Sequence, residues 1–253
     1  MVASPFASAM MPRRPRLLLP GVPLHITQRG VNRGATFIDA DDHRLHLALL
    51  ADVAGSHGID VHAFVMMSNH VHLLVTPRQT ASLAYAMRML NQQYVGTFNR
   101  RHGRTGTLWE SRFRSCLVDS ERYALTLYRY IELNPVRAAM VDAPERYRWS
   151  SARAHLGMSS LGFLTAHDAY TALGADAVER ARTYGEWLRC GMADEDLDAI
   201  RSHIQQQRAL GSPRFQAMVA KTLNRPVAVR PRGRPKINLS EDARQPSASD
   251  SNG

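Results

Sequence analysis

The chain has 253 residues and a formal net charge of +10. That length suits one sizeable core with a smaller second unit. The charge favours a polyanionic partner, nucleic acid before membrane lipid. Two cysteines, Cys116 and Cys190, exclude a disulfide framework, and no run approaches the roughly 18 apolar residues of a membrane span, so a reducing cytoplasm is the expected setting.

All but two of the Lys and Arg residues are arginine, the lysines being Lys221 and Lys236. Guanidinium forks suited to phosphate therefore dominate the basic surface, although GC-rich coding bias accounts for the preference equally well.

Residues 1–19 read as a Pro/Arg-rich arm. Leu24 to Arg29 alternates apolar and polar residues before Gly30 and Gly34, which predicts a strand running into a loop. From Asp41 to Ser56, Leu45, Leu49, Leu50 and Val53 recur at helical spacing behind an Asp-rich start. Val61–Met66 and Val71–Val75 then predict a hairpin turning at Ser68-Asn69. A helix over Ser82–Phe98 gives out in the basic loop 99–106, Arg112–Val118 reads as a strand, and Asp119 or Ser120 opens a helix that Pro135 terminates. The order β-α-β-β-α-β-α predicts an α+β, ferredoxin-like split βαβ antiparallel sheet with helices on one face and the other face free for substrate. The domain expectation is a catalytic unit over 20–157, a helical accessory region over 158–224 with helices near 167–173, 177–189, 194–208 and 213–224, and a disordered basic tail over 225–253.

Chemistry concentrates in two segments. His70 and His72 are two apart on a predicted strand and share one face, which invites a divalent metal; packing of one ring is the competing explanation. His25 and His62 are read as packing residues. On the helix after residue 120, Tyr130 and Asn134 fall one above the other at i, i+4, so both can address one ion, while Tyr128 and Glu132 point elsewhere. A core stripe of Tyr123, Leu127 and Tyr130 is the alternative. A metal beside a presented tyrosine suits phosphoryl transfer, because phenol is a weak nucleophile at its ordinary pKa and needs a polarised phosphate.

These motifs resemble the single-tyrosine HUH transposases, and within them the REP-associated tyrosine transposases of bacteria. The likeness is carried by His70-Val71-His72 within Ser-Asn-His-Val-His-Leu-Leu, by Gln28-Arg-Gly-Val-Asn-Arg33, by Arg112-Phe-Arg-Ser115, by Tyr130-Ile-Glu-Leu-Asn-Pro-Val-Arg137 and by Tyr147-Arg-Trp-Ser-Ser151. The resemblance spans about residues 20–157. It implies His70 and His72 as metal ligands with Asn134 as the third, Mg²⁺ or Mn²⁺ as the ion, and Tyr130 as the nucleophile. The implied activity is transposase cleavage of single-stranded DNA beside a palindromic hairpin through a 5′-phosphotyrosine intermediate. A monomer or homodimer associated with the bacterial nucleoid, with no membrane partner, is expected. Relatives in insertion elements often place Gln where Asn134 stands, and residues beyond Gly157 are not part of the minimal catalytic unit.

Candidate DNA contacts are Arg29, Arg33, Arg100, Arg101, Arg104, Arg112 and Arg114, with Trp109 and Phe113 as stacking surfaces or, alternatively, core residues. Arg232 and Arg234, in Pro231-Arg-Gly-Arg-Pro-Lys236, resemble an AT-hook that would add salt-sensitive anchoring. Two further functions stay open: a domesticated hairpin-binding protein or repressor without turnover, and a hydrolase in which a metal activates water while Tyr130 only packs.

Overall fold

The structure is a computed structural model that describes residues 15–230. Residues 1–14 and 231–253, including Arg232 and Arg234, lie outside the described residues. Strand β1 (Leu24–Arg29) runs into a one-turn 3-10 helix (Val31–Arg33), then α1 (Ala40–His57), β2 (Ile59–Met67), β3 (His70–Pro77), α2 (Thr80–Arg101) and β4 (Arg114–Leu117). The strands form one antiparallel sheet in the order β2-β3-β1-β4. Strand β3 thus splits the β1-α1-β2 crossover, which is the ferredoxin-like arrangement.

Alternation divides the sheet into two faces. Leu24, Ile26, Val71, Leu73 and Val75 share one face with Val61, Phe64 and Met66; the register shift between Val61 and Ala63 resets the parity of β2 midway. Helices α1 and α2 cover this face. The Asp39 side chain caps α1 by accepting from the backbone of Asp41 and Asp42, Asp39 N–H donates in return to the Asp42 carboxylate, and Gly58 ends the helix in the left-handed region (φ 61°). On α2, Leu83, Met87, Leu90, Tyr94 and Phe98 form the buried stripe that the 3.6-residue period predicts. Each contributes on the order of 1.5–3 kcal/mol by leaving water.

The other face is not free. Ala63, Val65, Met67, Leu74, Cys116 and Val118 are apolar too, and α3 (Ser120–Glu132) packs on them with Leu127, Tyr128, Tyr130 and Ile131. Beyond α4 (Asn134–Arg137) and α5 (Ala152–His155), helices α6 (Asp168–Thr171), α7 (Ala177–Arg189), α8 (Asp194–Gln206) and α9 (Pro213–Leu223) follow among the described residues. Tyr170, Tyr184, Leu188, Ile200 and Ile204 join the second core. An apolar second face requires a cover, which is why the expectation of an open face fails.

A buried carboxylate ties this cover to α3. Glu132 is fully buried and accepts from Ser151 Oγ (2.5 Å) and Tyr184 Oη (2.7 Å), with His155 Nδ1 at 2.6 Å. Three partners satisfy a charge that would otherwise be costly to bury. Burial and the Glu132 charge hold the Tyr184 phenol well above its ordinary pKa, so it stays a donor.

Both outer strands are paired by later chain. Along β2, Met66 N–H donates to Trp149 O and Ser151 N–H to Phe64 O; along β4, Leu210 N–H donates to Leu117 O and Asp119 N–H to Leu210 O. Asp119 precedes α3 without capping it, because its carboxylate instead accepts from Ser212 N–H (3.0 Å) and Oγ (2.7 Å). Among the described residues no helix is long and apolar enough to cross a membrane.

Candidate active site

Strand β3 places His70 and His72 on the second face, with Thr27 and Arg29 of β1 as their cross-strand partners. Their ring centroids lie 5.1 Å apart, at right angles. Asn69 Nδ2 donates to Arg33 O at 3.0 Å, which fixes the amide so that Oδ1 faces His70 Nδ1 at 2.7 Å. Since Oδ1 only accepts, Nδ1 of His70 carries the proton and the Nε2 lone pair is left for a ligand.

His72 Nδ1 lies 2.9 Å from Nε2 of His25, a fully buried residue of β1. Use of the His72 Nε2 lone pair selects the tautomer in which Nδ1–H donates to His25. Burial lowers the pKa of His25 to about 3, and burial with the Arg29 charge lowers His70 to about 4. Burial, with His25 and His70 close by, holds His72 well below its ordinary value. The pair is therefore neutral at physiological pH, as a metal ligand must be.

The two histidines floor a cleft of about 370 Å³ rimmed by Arg29, Arg33, Arg112 and Arg114. Only Glu110 opposes them, pairing with Arg29 at 2.9 Å. The loop that delivers Arg33 is held tightly. Asn32 and Arg33 take φ of 52° and 59°, in the left-handed region that side chains other than glycine seldom adopt. Gly30 lies so close to the turn that a Cβ there would sit 2.2 Å from Gly34 O. The glycine lets β1 fold directly into this turn.

Tyr130 is 7% exposed and packs edge-on to His72 (5.5 Å between centroids) and His25 (5.7 Å). Arg137 lies over its ring at 4.6 Å and donates to its carbonyl at 2.6 Å. The Arg201 guanidinium, from α8, is a second positive charge near the phenol. Burial raises the Tyr130 pKa, and the two guanidinium groups oppose that rise.

The expected single helix through Tyr130 and Asn134 is interrupted. Helix α3 ends at Glu132, and Asn134 opens α4 with Pro135 behind it, because proline offers no N–H to continue the ladder. Asn134 is half-buried, and its side chain has no hydrogen bond among the described residues.

Other expected contacts sort differently. Arg101 is bound to Asp39, Asp41 and Asp42, a correction to its reading as a DNA contact, since its fork is committed within the protein. Arg100 is exposed and reaches Thr97, and Arg104 lies 5.6 Å from the Phe98 ring; neither lines the cleft. Trp109 and Phe113 are 6% and 5% exposed, so they serve the core and not base stacking.

Asp39, Asp42 and His102 also converge closely enough to hold an ion. Their lone pairs are already engaged: Asp42 accepts from Ile38 N–H (2.9 Å) and from Arg101, and meets His102 Nε2 at 3.0 Å. This cluster joins the end of α2 to the start of α1.

His25, Asn69, Arg137 and Arg201 escaped the sequence reading as site residues. The β1–β3 register would have found His25, and adjacency to His70 marks Asn69. Nothing local marks Arg201.

The family model described as "Transposase IS200 like" matches residues 20–134. No curated protein matches the sequence. Among solved structures, a REP-associated tyrosine transposase bound to a REP hairpin is similar at 15% identity, with 60% of this chain and 95% of that one covered and a TM-score of 0.49. A protein of Deinococcus radiodurans R1 described as a transposase shares 22% identity over 47% of this chain and 95% of its own, with a TM-score of 0.33. A bacterial tRNA(His) guanylyltransferase-like protein in complex with GTP shares 10% identity over 50% and 67% of the two chains, with a TM-score of 0.38.

Proposed function

We propose, from the match of residues 20–134 to the family model described as "Transposase IS200 like", that this chain is a metal-dependent single-stranded DNA endonuclease and strand transferase. It cleaves beside hairpin-forming DNA and keeps the product as a 5′-phosphotyrosine at Tyr130. The observation that carries the reading is the packing of Tyr130 against His72 within one chain, beside an arginine-rimmed cleft.

The donor set fits a divalent ion: two neutral imidazoles, each with Nδ1 engaged and Nε2 left over. His70 and His72 would hold Mg²⁺ or Mn²⁺, with the Asn134 amide oxygen as third ligand, and the ion would supply polarisation of the scissile phosphate. Arg29, Arg33, Arg112 and Arg114 bind the backbone phosphates and orient the strand. In the cleavage step the Tyr130 oxygen forms a bond to phosphorus and the P–O3′ bond breaks. The phenol loses its proton and the leaving oxygen gains one as a 3′ hydroxyl. The phosphotyrosine ester conserves the broken bond, so a DNA 3′ hydroxyl can reverse the step without a nucleotide cofactor. The hairpin substrate follows the resemblance to the REP-associated enzymes.

The test mixes the full-length protein and Mn²⁺ with labelled single-stranded hairpin DNA from the gene's flanks and looks for protein-linked label on a denaturing gel. A covalent band that Tyr130→Phe abolishes, with hairpin affinity within about twofold, is expected; removing the nucleophile should cost several orders of magnitude. Hairpin binding without a covalent species would favour the domesticated binder, and cut DNA without attachment would favour the water-activating hydrolase.

A further inference from the structure

The hairpin turn that carries β2 into β3 is clasped by the turn that follows β1. Gly30 N–H donates to Asn69 O at 2.9 Å and Thr36 N–H to Ser68 O at 2.8 Å. Arg33 and Asn69, one from each turn, both line the cleft above the histidines. Asn69 precedes the first residue of β3, so it escapes the alternation that sends neighbouring strand side chains to opposite faces, and its amide lies beside the His70 ring.

That one amide works in two directions. Its Oδ1 accepts from His70 Nδ1 at 2.7 Å, and its Nδ2 donates to Arg33 O at 3.0 Å. A carboxamide carries acceptor and donors on one rigid plane, so fixing either end aims the other; a carboxylate in its place would keep the acceptor and lose the donor. The backbone at the donor end is strained, with Asn32 and Arg33 at φ of 52° and 59°. Residues other than glycine stay in that region only where their surroundings hold them.

We infer that Asn69 is a positioning residue that couples the two halves of the site: it orients the His70 ring for the metal and holds the strained turn that aims Arg33 at the DNA backbone. A single side chain thus sets the cation and the phosphate-binding guanidinium in one register. The amide takes no part in bond making, and its contribution is geometry. This inference rests on the metal-dependent reading above.

The experiment takes two readouts from the full-length protein, neither of them turnover. Calorimetry measures Mn²⁺ affinity without DNA, and the salt dependence of hairpin binding is measured in EDTA, with the thermal midpoint recorded in parallel. Asn69→Ala should weaken Mn²⁺ binding about 10–100-fold, as loss of a group that orients a metal ligand does. Asn69→Asp should return the affinity toward wild type, because a carboxylate still accepts from His70 Nδ1–H. On DNA, Asn69→Ala should lower the slope of log affinity against log salt by about 0.7, the share of one phosphate contact on a single strand. Arg33→Ala should do the same, and the double variant should lose no more than Arg33→Ala alone. If wild type binds Mn²⁺ and Asn69→Ala binds it equally well, the inference falls while the metal-dependent reading stands. It also falls if Asn69→Asp recovers no affinity, if the salt slope is unchanged in Asn69→Ala or in Arg33→Ala, or if the two slope losses add, which would make Asn69 a separate DNA contact. A drop in thermal midpoint shared by Asn69→Ala and Asn69→Asp that accounts for both losses would make the residue merely structural and overturns it too. If wild type binds no Mn²⁺, inference and reading fall together.

Discussion

The two faces of the sheet bury different chemistry. Under α1 and α2 the inward sheet residues are apolar from Leu24 and Ile26 to Phe64, Met66, Leu73 and Val75, with Gln28 and Ser115 as buried polar exceptions. Under α3 and α8 the sheet buries His25 and His72 against Tyr130, and His25 Nδ1 has no hydrogen-bond partner. Leaving such an atom unpaired costs on the order of 1–3 kcal/mol. The first face is arranged for stability, and that stability lets the second hold neutral histidines and a covered phenol that packing alone would not select.

The largest effect should come from the second face. His70→Ala with His72→Ala should reduce adduct formation by more than the roughly 100-fold that loss of an outer partner costs, and the remaining activity should no longer respond to Mn²⁺. Cleavage that persists and still titrates with metal would discard the histidine site. On the first face, Leu90→Ala, at a fully buried position on α2, should cost about 2–5 kcal/mol in urea unfolding. Adduct yield per folded molecule should not change; a matching loss of chemistry would break the division between the faces.

His25→Ala sharpens the contrast, because it removes the partner of His72 Nδ1. Mn²⁺ affinity should fall by about 10–100-fold by calorimetry, as for other partners that orient a ligand, and equal affinity would make His25 a packing residue. The smallest effect is the pH response. His46 on α1 and His62 on β2 are held neutral by burial, at about 3 and about 4 against an unfolded value near 6.5. Below pH 6.5 the unfolded chain takes up protons that the folded chain refuses, so stability should decline from pH 6.5 toward pH 4. The decline should be on the order of 1 kcal/mol per histidine by about pH 5.5, at about 1.4 kcal/mol per pH unit. A thermal midpoint that is flat across that window would show the histidines to be solvated.

Local pattern carried most of the architecture. The span Leu24–Arg29 is the strand that alternation predicts, and α7 runs over Ala177–Arg189 as its spacing predicts. Patterning failed where a residue has two satisfactory roles. Arg101 reads as a phosphate contact in a basic loop, yet three aspartates around the start of α1 claim it. His25 reads as packing until the β1–β3 register sets it against His72. The break between Tyr130 and Asn134 follows from Pro135, but whether a helix restarts after a proline depends on what holds the next turn, here the Arg137 contact with the Tyr130 carbonyl. Arg201 had no local signature, since it comes near Tyr130 only because α8 packs on α3.

The pairing of the outer strands has a consequence for solubility. The backbone groups of β2 are claimed by residues 147–151 and those of β4 by Leu210, all beyond residue 134. A chain ended there would present two bare strand templates and an uncovered apolar face, the combination that drives edge-to-edge self-association. The segments after residue 134 thus cover both edges and the second face, and shortening this protein toward its motif-bearing half should yield insoluble material.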